Sequence, residues 1–164
     1  MSHSVTITRT TTSTTNTSYI VLNTGYLKSF SGLLKLAELL IGAAMVGIFA
    51  YYQQNGSCFY GIDGIVFSFL MATTFMIGTF CLLLSCLTSL STGGIISKTI
   101  YELIYHSVAA ILLLCCSLQL VITLGNRRGN SQRDAYFAAG IMGLVNAVLY
   151  FISAFLAHRS YRGI

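Results

Sequence analysis

Four ionisable residues lie inside stretches otherwise built from apolar side chains. Lys35 and Glu38 sit three apart in GLLKLAELLIG, and Glu102 and His106 sit four apart in YELIYHSVAA. On a helix, each pair shares one face. Surrounded by hydrocarbon, an ammonium, two carboxylates and an imidazole have two uses. They can pair with one another as a clamp between helices, because an unpaired charge in lipid is costly, or they can pass protons or ions along a path. Either use requires the two pairs to reach similar depth. The expectation is one polar cluster, Lys35, Glu38, Glu102 and His106, joining the first and third spans.

The elements that must hold this cluster follow from composition. Of 164 residues, 55% are hydrophobic and 8% charged, and the mean hydropathy is +0.76. One small soluble core cannot bury so much apolar surface, so the surplus faces lipid. Four apolar segments, about 33–52, 64–90, 100–124 and 135–156, each have the roughly 20 residues that cross a hydrocarbon core as a helix. Between them, QQNGS, STGGIISK and GNRRGNSQRD collect glycine, polar residues and charge where the backbone leaves the lipid. Such short connections make successive helices antiparallel neighbours. The expected fold is therefore all-α: an integral membrane four-helix antiparallel bundle over 25–158, with a Thr/Ser-rich disordered tail at 1–24 and a short tail at 159–164. The opening residues lack the basic start, apolar run and cleavage site of a secretory signal.

Basic residues set the expected orientation. With four spans, Arg9, Lys28, Lys98, Arg159 and Arg162 share one side and Arg127, Arg128 and Arg133 the other. The balance places both termini in the cytoplasm. Tyr51, Tyr52, Tyr60, Tyr101, Tyr136 and Tyr161 fall near span ends, where amphipathic rings settle. The absence of proline argues against the sharply broken helices that mark transporter binding sites.

Small residues recur every fourth position in the last span, at Ala135, Ala139, Gly143 and Ala147, with Asn146 beside them; Ala43 and Gly47 repeat the spacing in the first. Such ridges let helices approach closely, either packing spans 1 and 4 together or presenting a surface to a separate membrane partner. Of the five cysteines only Cys58 falls in a loop, so a disulfide framework or zinc site is not expected; Cys81, Cys86, Cys115 and Cys116 read as small apolar filler, with acylation near an interface as the alternative. The sequons at Asn16 and Asn55 are read as unmodified. The nine basic residues form no face and no aromatic platform, which excludes nucleic-acid binding. No Ser-His-Asp spacing, phosphate loop or metal motif is present, so neither an enzyme nor a cofactor is expected.

In the order of these features the chain resembles the MARVEL-domain family, especially its chemokine-like-factor, MAL and plasmolipin branches. The carriers are YLKSFSGLLKLAELLIG, YELIYHSVAAILLLCCSLQL and AAGIMGLVNAVLYFISAFLAHRSYR, from about Tyr26 to Arg162. The very short first loop and the missing proline are departures. The resemblance implies an M-shaped four-span protein with cytoplasmic termini at the plasma membrane or on vesicles. It would be associated with membrane apposition, vesicle traffic, specialised lipid regions or other membrane proteins. The leading expectation is a non-enzymatic membrane-organising or trafficking adaptor. Its partners would be membrane lipids, other integral membrane proteins or further copies of itself. The alternative is a small channel, transporter or accessory subunit that uses the buried Glu38, Glu102 and His106.

Overall fold

The computed structural model describes residues 24–54, 64–88, 100–126 and 131–162. Arg9, Asn16, Asn55, Cys58, Tyr60, Lys98, Arg127 and Arg128, with most of each connection, lie outside the described residues. A short 3-10 helix, Thr24–Lys28, leads into four α-helices: α1 Phe30–Gln54, α2 Ile65–Thr88, α3 Ile100–Gly125 and α4 Ser131–Arg162. All four are long and apolar enough to cross a membrane. At 1.5 Å per residue the first three are roughly 36–39 Å long and α4 about 48 Å. The last helix outruns the 135–156 read from hydropathy, because hydropathy locates the part in lipid rather than the hydrogen-bonded helix. Its extra turns are polar, with Asp134 in the first turn and Arg159 and Arg162 in the last, the arrangement that a helix dipole favours.

Helices α1–α2, α2–α3, α3–α4 and α4–α1 pack side by side around a ring, with the α3–α4 pair the most extensive. The starts of α1 and α3 meet the end of α4, and the end of α1 meets the starts of α2 and α4, so the helices alternate in direction. On α1 the buried face reads Lys35, Glu38, Gly42, Met45, Phe49, a 3-4-3-4 spacing that points one stripe at the bundle axis. On the outside stand Leu40, Leu70, Ile77, Phe80, Ile111, Ile122, Phe151 and Phe155. Lipid is as apolar as these side chains, so burial does not drive the helices together; close packing and internal hydrogen bonds do.

Ala139, Gly143 and Ala147 are all buried, but α4 chiefly meets α3 rather than α1. A Cβ on Gly143 would run into Ser117 of α3 and Met45 of α1. Ala43 and Gly47 correct the expectation of internal packing in span 1, while its alternative, a surface toward a separate membrane partner, stands. Both are exposed, and a Cβ at Gly47 would meet nothing within 4 Å. Their positions lie one step off the 35-38-42-45-49 stripe, so the residue that lets a neighbour approach is Gly42, against Met76 of α2. Tyr136 is a second correction: it is buried, stacked on Phe49 at 5.7 Å and set against Tyr52, closing the loop end of the bundle rather than anchoring in the headgroups. Cys86 and Cys116 fill the interior, while Cys81 and Cys115 are exposed on the outer surface.

Two connections are braced locally. Arg133, at the start of α4, donates from Nε to the carbonyl of Leu124 at 2.9 Å, supplying a partner that the end of α3 lacks, and its guanidinium covers the Phe137 ring. Gly64 opens α2 at φ +92°, a conformation only glycine adopts freely, with its carbonyl taking the Ser68 amide.

Replacing Gly143 by Ile is expected to lower stability by about 1–3 kcal/mol through overpacking. The same change at Gly47 should leave the unfolding midpoint unmoved; thermal unfolding of both variants in mild detergent compares them directly.

Candidate functional site

At the start of α1 the sequence builds a small scaffold. Ser29 caps the helix: its Oγ accepts from the Gly32 amide at 3.1 Å and donates to the Tyr26 carbonyl at 2.6 Å. Any side chain at Gly32 would collide with that carbonyl, so glycine is what lets the 3-10 turn fold back onto the helix. The result hangs the Tyr26 phenol over the next turn. Burial pushes the Tyr26 phenol above its ordinary pKa, so the group stays a neutral hydroxyl.

Lys35 points into the bundle with 1% of its surface exposed. Its Nζ donates to Tyr26 Oη at 3.1 Å, to Ser31 Oγ at 3.0 Å and to Glu102 Oε1 of α3. An ammonium has three N–H donors, and all three are thereby used. The ion pair crosses the bundle between diagonal helices, which only a long side chain can do. Glu102 lies in the first turn of α3, where the helix dipole favours a carboxylate.

One turn deeper, Glu38 is fully buried. Ser153 of α4 donates to its Oε1 at 2.5 Å, and Asn146 Nδ2 donates to its backbone carbonyl at 3.4 Å. Its other oxygen, Oε2, stands 3.8 Å from Nε2 of His106. The His106 Nδ1 lies 2.7 Å from the carbonyl of Glu102. A carbonyl can only accept, so Nδ1 carries a proton. Neither Glu38 Oε2 nor His106 Nε2 has a hydrogen-bond partner among the described residues. A single proton between them would suit both atoms.

Below this pair, three helices are tied together by hydroxyls. Tyr105 of α3 donates to the Phe75 carbonyl of α2 at 2.9 Å, and Tyr150 of α4 places its hydroxyl 2.6 Å from Thr79 Oγ1. The close approach depends on Gly78, whose missing Cβ would sit 2.5 Å from the Tyr105 oxygen. Toward the loop end the axis turns apolar, with Met45, Phe49, Ile65, Ala72, Leu120 and Leu124 packed together.

The four ionisable residues named from the sequence thus share one buried region, and Asn146 adjoins it. Sequence reasoning missed three contributors. Ser153 was readable: Asn146, Tyr150 and Ser153 follow one helix face at 4-3 spacing. Tyr26 was not, because its position depends on a turn set by Ser29 and Gly32. The Thr79–Tyr105–Tyr150 group needed knowledge of helix register. No group of three or more metal-ligating side chains occurs among the described residues.

Removing Glu102 alone strands Lys35 in the interior. Glu102→Ala is therefore expected to cost about 3–5 kcal/mol, while replacing both partners, Lys35→Met with Glu102→Leu, should recover most of it. Chemical unfolding of the three proteins in detergent gives the comparison.

Comparison with known proteins places the chain in a family. A family model described as MARVEL, a membrane-associating domain, matches residues 26–156. No curated protein and no solved structure matches the chain.

Proposed function

Because the chain belongs to the MARVEL family of membrane-associating domains, we propose that it is a non-enzymatic adaptor that organises membranes or membrane proteins in vesicle traffic. It works through contacts of its helices with lipid and with other spans. The observation that carries this reading is the division of chemistry across the bundle. Polar groups turn mostly inward, where many bond one another, while each helix exposes several large apolar side chains on its outer face. Recognition by such a body is lateral.

In this reading the four-span domain occupies 25–158 between two tails, and both termini face the cytoplasm. Lys28, Arg159 and Arg162, exposed at the end where α1 starts and α4 finishes, support that orientation. The polar cluster is a clamp that fixes the bundle's shape. The facing Glu38 and His106 atoms favour a second reading, a proton or cation path. Against it stand the apolar residues packed along the axis toward the loop end, which leave a continuous wet route no lining.

Isolation of the tagged chain from native membranes in mild detergent is expected to bring down integral membrane proteins at a fixed ratio. The complementary measurement is ion flux in reconstituted vesicles, expected at background. Proton or cation flux that disappears in Glu38→Gln would replace the adaptor with the channel reading.

A further inference from the structure

A cavity of about 210 Å³ opens at the end of the bundle where α1 starts and α4 finishes. Phe30 and Leu156 give it apolar walls, Tyr26, Ser31 and Ser160 give it hydroxyl groups, and Glu102 lines its inner side. Glu102 is 3% exposed, and its Oε2 is buried with no hydrogen-bond partner among the described residues. The two nearest charged or ring N–H groups do not supply one. Lys35 has used its three protons on Tyr26, Ser31 and the other Glu102 oxygen. The His106 Nδ1 proton goes to the Glu102 main chain, and Nε2 faces Glu38. A buried carboxylate oxygen without a partner among the described residues has room for a further donor, and a charged N–H donor makes the strongest bond to it.

We propose that this cavity binds the primary ammonium headgroup of a bilayer aminophospholipid such as phosphatidylethanolamine, with the Glu102 carboxylate as acceptor. Three features of this end of the bundle fit one molecule. The ammonium enters beside the hydroxyls of Ser31 and Ser160. The phosphate lies among the exposed Lys28, Arg159 and Arg162 of the same bundle end. The acyl chains follow the exposed Phe30 and the Leu156 side of α4 into the hydrocarbon. The proposal adds a ligand class to the lipid contacts of the proposed function. It stands whether or not the chain also recruits a protein partner.

The test uses lipids whose headgroup N–H donors are replaced one at a time by methyl groups. The full chain, purified in mild detergent, is titrated with phosphatidylethanolamine, its N-methyl and N,N-dimethyl derivatives and phosphatidylcholine of identical acyl chains, and bound lipid is read by native mass spectrometry. Retention is expected to fall stepwise along the series, about tenfold from first to last, the size of one lost charge-assisted hydrogen bond. Ser160→Leu, which fills the rim without touching the Lys35–Glu102 pair, should reduce phosphatidylethanolamine retention to the phosphatidylcholine level while the protein keeps its unfolding midpoint. Glu102→Gln should flatten the series if it folds. Equal retention of all four lipids overturns the proposal, as does undiminished binding in folded Ser160→Leu. Displacement by glycerophosphoethanolamine as efficient as by the whole lipid would reassign the site to a soluble amine and overturn the lipid assignment.

Discussion

An ammonium group inside hydrocarbon has no water to take its protons, so each N–H must find an oxygen within the protein. Lys35 meets that demand with one partner from its own helix, one from the turn before it and one from a helix diagonally across the bundle. Much of the architecture at this end answers to those three bonds. Ser29 and Gly32 shape the turn that delivers Tyr26. The ion pair fixes how far α1 and α3 stand apart and which residues face the axis. Glu38, on the same face one turn deeper, is then carried into reach of Ser153 and Asn146, which commits α4 as well.

The second constraint is that lipid offers no gain for burying one more leucine. Close approach has to come from small side chains, and the bundle places them where helices touch: Gly42 against Met76, Gly78 beneath Tyr105, Gly140 against Val121, Gly143 against Ser117. Each lies on a stripe whose spacing alternates three and four. The dispersion contacts this allows are individually tiny but numerous, and the hydroxyl bonds among Thr79, Tyr105 and Tyr150 add direction to them.

Much of this fold could be read from the residues alone, because the bilayer imposes a length and a composition on each span. Helix count, class and approximate limits followed from runs of apolar residues broken by QQNGS, STGGIISK and GNRRGNSQRD. What a pattern of apolar residues does not contain is rotation about the helix axis. Spans 1 and 2 are apolar nearly all round, so the four-residue repeat of Ala43 and Gly47 looked as good a packing ridge as Gly42, one residue away. The ionisable residues escaped that ambiguity because hydrocarbon tolerates them on one side only; Lys35 and Glu38 declare the inner face of α1. Tyr26 lay beyond such reasoning, since its place depends on a hydrogen-bonded turn rather than on any periodicity.

The contacts of Glu38 also bear on how the protein is made. This carboxylate sits in the first of the four helices to be synthesised, while the side chain that bonds it, Ser153, and Asn146, which bonds its backbone carbonyl, belong to the fourth. Between their synthesis lie two further spans, and Glu102, the partner of Lys35, arrives only with the second of them. Until then Lys35 has only Tyr26 and Ser31 as partners from its own segment, and Glu38 lacks the partners that other helices bring. Completion of the polar cluster thus requires all of α1, α3 and α4, and a polypeptide cut short before α4 leaves Glu38 without Ser153 and Asn146.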